Sequence, residues 1–275
     1  MHPTTLDDFE ARLVPVLRLI ADRVDEPPSL AELASAACLS PFHFHRVWRA
    51  ATGEPIMESV RRIRLEVAAH RLAATSASVT HVALETGYSS SQTFARAFRQ
   101  ATGRTPSEAR HAGPDVRRPL PGPTDSALRV EIITLAPLTI IAKRRVGACP
   151  IRDLGPTFGA VWSWAASNGH TTRVRGIYGL PLDDDHYDAG FDFGPDLAAP
   201  DGMHLVRIDR CECAQIRMHG PYENLEPALD FLYGGWLPQS GREPADVPLI
   251  HRFYNDPDNT PESDLVTDLL LPLRV

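Results

Sequence analysis

Up to residue 112 the apolar positions recur at helical spacing; beyond residue 128 they gather into short β-branched runs. Ser29-Leu30-Ala31-Glu32 has the form of a capping box, with Ser29 accepting from the third helical N–H and Glu32 reaching back. It predicts a short helix through Ala37. Cys38-Leu39 then makes a tight turn, and Ser40-Pro41 caps a second helix, with proline at its first position. A longer amphipathic helix follows over 56–74, with Ile63, Val67 and Leu72 inward and Arg61, Arg62, Arg64 and Arg71 mostly outward. The pattern then returns: a helix over 79–86, Gly87 for a left-handed turn, and Ser89-Ser90 opening a helix through Gln100. Residues 113–123 hold four prolines and two glycines, which helices and sheet interiors exclude. The chain therefore divides into an all-α domain over 1–112, a linker over 113–128, and an α+β domain over 129–275. In the last, runs such as Val130-Glu131-Ile132-Ile133 and Leu138-Thr139-Ile140-Ile141 alternate with turns and a few helices.

Two short helices joined by so brief a turn are a helix-turn-helix pattern, and the first domain holds it twice. Residues 46–53 (RVWRAATG) align with residues 96–103 (RAFRQATG) at an offset of 50. Helix phase separates the roles of the second helix in each copy. Phe44, Val47, Trp48 and Ala51 share an inner face in one, and Phe94, Ala97, Phe98 and Ala101 in the other. The outer faces carry Phe42, His45, Arg46 and Arg49, and Ser91, Gln92, Ala95, Arg96 and Arg99. Those residue types read base edges: Arg is bidentate to guanine, Gln to adenine, and Ala or Phe packs on a thymine methyl. Gly53 and Gly103, each after Ala-Thr, are read as helix C-caps. His43, His70, His81 and His111 have no sequence partner and are read as surface or core-rim residues.

Charge supports the nucleic-acid reading only when it is resolved along the chain. The net charge of −7 and pI of about 5.9 argue against such a partner. Residues 40–112, however, carry ten arginines against five acids, while residues 129–275 carry 13 basic against 21 acidic side chains. No apolar run approaches the ~18 residues of a membrane helix, Met1-His2-Pro3-Thr4 is no signal peptide, and four cysteines are too few for a disulfide scaffold. A soluble cytoplasmic protein is expected.

The stretch from Val82 to Arg110 (VALETGYSSSQTFARAFRQATGRTPSEAR) resembles the signature of the AraC/XylS family of bacterial transcription regulators, and the resemblance extends over residues 29–110. It implies two helix-turn-helix units that place recognition helices in adjacent major grooves of double-stranded DNA, a bipartite site. Phe42, His45 and Arg46 would read one half, and Ser91, Gln92 and Arg96 the other. RNA polymerase is a further candidate partner. Cys38 stands where the family often has glycine in the first turn, and Ala109 where an aromatic is usual.

The second domain also repeats. Val146-Gly147, then Leu154-Gly155-Pro156 and a helix with Phe158 and Trp162, parallels His219-Gly220, then Leu225-Glu226-Pro227 and a helix with Leu229 and Tyr233. Ile177-Tyr178-Gly179-Leu180-Pro181 is aligned beside Phe253-Tyr254-Asn255-Asp256-Pro257. A strand–helix–strand–strand unit used twice predicts a pseudo-twofold sheet with a cleft between copies. This half resembles the GyrI-like effector-binding domain of Rob-type regulators, through HGPYE at 219–223, WLPQSG at 236–241, YNDPDNTPE at 254–262 and TDLLLP at 267–272. The resemblance implies a small amphipathic or aromatic effector in an aromatic-lined cleft, with Tyr178, Tyr222, Trp236, His251 and Phe253 as candidate ligand-binding residues. The family's buried glutamate falls at position 251, where this chain has histidine.

Other chemistry is thinly supported. Cys211-Glu212-Cys213 lacks a second pair at zinc spacing, and Asp183-Asp184-Asp185-His186 reads as a solvated loop. No cofactor, metal or catalytic residue is assigned, and no enzyme activity is expected. The leading expectation is a one-component regulator sensing a small molecule. The alternatives are constitutive DNA binding with a protein-interaction module at the C-terminus and, behind that, a GyrI-like hydrolase tethered to DNA.

Overall fold

The computed structural model describes residues 6–112 and 128–274. The expected linker lies outside the described residues except for Leu128. Chain contacts divide the described part into two units. One holds Asp7–Ser40 and Trp48 onward through residue 112; the other holds residues 128–274 together with Pro41–Val47.

The helical region runs α1(Leu6–Asp22), α2(Leu30–Ala36), α3(Pro41–Thr52), α4(Ile56–Ala74), α5(Val79–Glu85), α6(Ser91–Thr102) and α7(Pro106–Ala112). The capping box of α2 forms as its sequence requires. Ser40, by contrast, is an N-cap without a side-chain bond; its hydroxyl is buried and has no partner among the described residues. Ser90 and Ser78 do cap α6 and α5, accepting from Thr93 N and His81 N. Leu65, Ala68, Ala69 and Leu72 of α4 pack with Val82, Ala83, Phe94, Ala97, Phe98 and Ala109 in one core cluster. Burying such side chains is the main term favouring the fold, at about 1.5–3 kcal/mol each for the large ones. α7 is tied back by Arg110, which donates to the carbonyls of Leu72, Thr75 and Ala77.

The two copies differ in how they are held. Trp48 Nε1 donates to Ser59 Oγ at 2.8 Å, Ser59 donates to Glu54 at 2.6 Å, and Arg62 donates to the same Glu54 oxygen. The equivalent Phe98 has no polar handle, and it packs as a tilted ring pair with Phe94, centroids 5.4 Å apart, instead. The inner face of α3 is shorter than its phase suggested, because Ala51 is exposed.

Both helix-turn-helix turns close by the same bonds. Cys38 N donates to Ser35 O and Leu39 N to Ala34 O; Gly87 N donates to Leu84 O and Tyr88 N to Ala83 O. Each turn needs a left-handed residue, Gly87 at φ +72° and Cys38 at φ +55°. Gly87 has a second reason to be glycine, since a Cβ there would lie 2.4 Å from Asp25 O. Cys38 bears the steric cost of a Cβ beside the following carbonyl, roughly 1–2 kcal/mol.

The second unit contains one eight-stranded antiparallel sheet in the order β1-β6-β8-β7-β3-β4-β2-β5. Its strands are β1(Glu131–Leu135), β2(Leu138–Val146), β3(Gly176–Pro181), β4(His186–Asp192), β5(His204–Ile208), β6(Cys211–His219), β7(Ile250–Phe253) and β8(Val266–Leu273). The order is palindromic under exchange of β1–β5, β2–β6, β3–β7 and β4–β8, as a duplicated unit requires. α8(Gly155–Ser167) covers β2 and β4, and α9(Leu225–Asp230) continues into a π-helical segment, Phe231–Trp236.

Equivalent positions carry equivalent buried ion pairs. Arg144 clamps Asp188 across β2–β4, and Arg217 clamps Asp268 across β6–β8, each with two bonds of 2.8–3.0 Å. Both carboxylates are buried, and both titrate below the usual range because the guanidinium bonds outweigh burial. Asp188 faces Leu180 and Asp268 faces Arg252, so Leu180 and Arg252 are the matching residues. Gly179 and His251 then match each other and are themselves paired, on the pseudo-twofold axis. This corrects the sequence alignment of Ile177 with Phe253: the structural match of Ile177 is Leu249.

The left-handed cysteine gives a direct test. Cys38→Gly is expected to stabilise the chain by roughly 0.5–1 kcal/mol, the strain relieved less the added entropy of glycine. Urea unfolding of the variant should show a raised midpoint; a lowered one would mean that the thiol's contacts outweigh the backbone strain.

Candidate DNA-reading faces and an aromatic cleft

α6 is built so that its two faces cannot exchange roles. Phe94, Ala97 and Phe98 enter the core, while Gln92, Arg96 and Arg99 are exposed and Ser91 and Ala95 half-buried. Gln92 and Arg96 have no side-chain partner among the described residues. The N-cap Ser90 fixes where this face begins.

α3 is different. Phe42 and Arg46 are half-buried, His45 is 3% exposed, and all three belong with residues 128–274. Within that unit Arg46 pairs with Glu226 at 3.2 Å. His45 Nδ1 lies 3.3 Å from Pro41 O, and burial holds the ring down to about 3. His43, expected near the surface, is fully buried, with Tyr233 Oη and Ala245 O at 2.9 and 2.8 Å. Burial lowers it to about 4. Arg49 is half-buried beyond the end of that segment.

On the α8 side of the sheet lies a cleft of about 440 Å³. Its walls are Phe158 and Trp162 from α8, Ile177 and Phe191 from β3 and β4, and Tyr222 and Phe253. Phe253 meets Phe158 and Tyr222 edge-on at 5.7 and 5.6 Å, and Trp162 meets Phe191 at 5.7 Å. Arg152 and the Asn255–Asn259 loop form the mouth. Arg152 is engaged by Glu223 at 2.8 Å, and Asp256 accepts from the backbone of Asp258 and Asn259 and from the Asn259 amide.

Of the five residues expected in this site, Tyr222 and Phe253 stand on the walls. Tyr178 points to the opposite face, among Ile140, Leu180 and Ile250. Trp236 ends the π-helical segment, half-buried and away from the lining. His251 lies behind the walls, fully buried, with its ring 6.1 Å from that of Phe253. Phe158 and Trp162 were visible as an aromatic pair four apart on a helix. Phe191 and Ile177 were not, because the face a strand residue takes depends on register with its neighbours.

His251 Nδ1 is hydrogen-bonded to Tyr187 Oη at 2.9 Å. Tyr187 crosses Gly179 to reach it: a Cβ on Gly179 would lie 1.9 Å from that oxygen. With the phenol donating to Nδ1, the neutral imidazole carries its proton on Nε2, which is buried without a partner among the described residues. Burial, with the positive charge of Arg46 adding to it, lowers His251 to about 3. A cation inside such a cleft would gain about 0.5–2 kcal/mol from the rings. It would lose several kcal/mol on leaving water where, among the described residues, no carboxylate stands behind the aromatic walls at position 251.

The residues singled out for metals do not assemble into a centre. Cys211 and Cys213 have sulfurs 3.8 Å apart on one strand face, and His186 pairs with Asp183 at 2.9 Å. Among the described residues no group of three or more such ligands converges, and no helix is long and apolar enough to cross a membrane.

Two helix-turn-helix units joined by a long helix, followed by a duplicated sheet domain, define a DNA-binding transcription regulator. Residues 33–112 match the helix-turn-helix domain family, and residues 129–274 match the GyrI-like small molecule binding domain family. Regulatory protein SoxS of Salmonella typhimurium is 33% identical over 96 residues, 35% of this chain and 90% of that protein. Transcriptional regulator Rob of the same species is 23% identical over 271 residues, 91% of this chain and 94% of that one. The solved C-terminal domain of EcmrR overlaps 54% of this chain and 98% of its own, with a TM-score of 0.47 and 9% identity. The chain belongs to the AraC/XylS family of transcription regulators, with a Rob-type GyrI-like domain following its DNA-binding domain.

The buried histidine carries a pH signature. Its folded pKa of about 3 lies below the ordinary value, so the unfolded chain takes up the proton first as pH falls. Stability present above ~6.5 is therefore lost progressively toward pH 3. His251→Gln should flatten the dependence of unfolding free energy on pH between 7 and 5 by at most about 1.4 kcal/mol per pH unit. His43 and His45 keep their own contributions in both proteins, and Asp268, held at about 2, acts only at lower pH. Urea denaturation across that range gives the comparison, and equal slopes would show that His251 takes up its proton as readily in the fold as in the unfolded chain.

Proposed function

We propose that this regulator reads a bipartite DNA site through α3 and α6 and takes a small molecule in the aromatic cleft of its C-terminal domain, which makes that domain a sensor. The observation that carries the DNA half is the outer face of α6. Gln92 and Arg96 stand exposed and unpartnered among the described residues, while the same helix is anchored by Phe94 and Phe98. Supporting the sensor half is a cleft whose aromatic walls are too open to be filled core: Trp162 remains 45% exposed. Ser91, Gln92, Arg96 and Arg99 are the proposed readers of one half-site; Phe42, His45, Arg46 and Arg49 are the proposed readers of the other only once α3 is released, since here His45 is buried and Arg46 is paired with Glu226. The half-sites would lie about one helical turn, ~10 bp, apart.

Arg96→Ala should cost about 1–3 kcal/mol in DNA affinity and relax specificity within one half-site, as loss of a bidentate base contact does. Binding titrations on a library randomised in each half-site measure this. Uniform weakening on all sequences, with a shallower salt dependence, would instead assign Arg96 to phosphate.

For the sensor half, a compound present at 100 times its dissociation constant adds about 2.7 kcal/mol of stability. A thermal-shift screen of small aromatic compounds should find ligands whose shift disappears in Trp162→Ala. A shift that survives that substitution would place the ligand elsewhere, and an interaction module without a small-molecule site would show no shift at all.

A further inference from the structure

Among the described residues, the side chains that line the cleft are apolar or aromatic apart from Arg152, Asn255, Asp256, Asp258 and Asn259. Apolar and aromatic side chains make the walls, and the group behind Phe253 is an imidazole rather than a carboxylate. That imidazole already commits Nδ1 to Tyr187, and its Nε2 is buried without a partner among the described residues, so in either neutral tautomer it carries no negative charge to pair a cation. Asp256 and Asp258 oppose an incoming anion, the Arg152 guanidinium is held by Glu223, and Arg46, whose charge is felt at His251, is paired with Glu226. Among the described residues that wall the cleft, cation–π attraction from the rings is what favours a charge, and desolvation outweighs it where no counter-ion reaches the ligand.

We infer that the cleft selects an uncharged, planar aromatic molecule of two or three rings and discriminates against both cations and anions, with His251 as the residue that sets this preference. The inference rests on the sensor reading above. A cavity of about 440 Å³ has room for a fused-ring system of that size against the aromatic walls. His251 acts as a specificity-determining residue without lining the wall, through the charge it leaves absent beneath Phe253.

Three matched probes test this by isothermal titration calorimetry on the full chain: naphthalene-2-methanol, N-methylquinolinium and 2-naphthoate. The uncharged probe is expected to bind at least tenfold more tightly than either charged one. His251→Glu should invert the order of the alcohol and the quinolinium, while His251→Gln, which stays uncharged, should keep the wild-type order. Should the glutamate variant fail to fold, as judged by circular dichroism, the wild-type and His251→Gln orders decide alone. Equal or tighter binding of N-methylquinolinium or of naphthoate by wild type overturns the inference and leaves the sensor reading standing. No binding of any probe by wild type, with Trp162 fluorescence unchanged, overturns both.

Discussion

One contact organises the C-terminal domain: Tyr187 of β4 reaches across β3 to His251 of β7, over a residue that has no side chain. The crossing is possible only because Gly179 lies between them, and it sits where the two copies of the unit meet. A duplicated sheet is most alike at its centre and most free to differ toward its ends. Here the centre itself has become asymmetric, glycine in one copy and histidine in the other. The hydroxyl and the imidazole satisfy each other inside the fold, and the cleft beside them is left with aromatic walls and an uncharged base.

The symmetric part is carried by the Arg144–Asp188 and Arg217–Asp268 pairs. Buried ion pairs add little net stability against an apolar alternative, but breaking one strands a charge and costs several kcal/mol. They therefore fix register more than they strengthen the sheet. A slip of one residue would turn each aspartate away from its arginine and move every wall residue to the other face. Each copy then elaborates its pair differently. His204 joins Asp188, whereas Arg252 and Tyr254 join Asp268, with Tyr254 lying between the two guanidiniums.

Unequal copies are also the theme of the DNA-binding half. Both turns close with the same two backbone bonds, yet one uses glycine and the other a strained cysteine. α3 and α6 bury an aromatic at the same place, yet Trp48 is wired through Ser59 to Glu54 and Arg62 while Phe98 packs against Phe94. α6 keeps its outer face free. α3 contributes its first seven residues to the other unit, where His43 and Arg46 find partners.

Much of this architecture was legible along the chain because local rules specify it. The capping box at Ser29, the span of α4, the aromatic core positions of α6 and the duplication of the C-terminal half all follow from spacing, which depends only on near neighbours. The left-handed demand at Cys38 was legible through the family resemblance, which has glycine at that position of the first turn. What the chain alone left open depended on register and on long-range contacts. Tyr178 and Ile177 are adjacent, and only the pairing of β3 with β7 decides which of them faces the cleft. Ile177 pairs with Phe253, although the matching residue in the repeat is Leu249, because antiparallel pairing and internal symmetry relate different residues. His43 reads as a rim residue until Tyr233 and Ala245, some two hundred positions away, supply both of its hydrogen bonds. The sequence determined the elements and the chemistry they carry; the tertiary structure decided which side chains share a surface, since that is set by contacts no local pattern encodes.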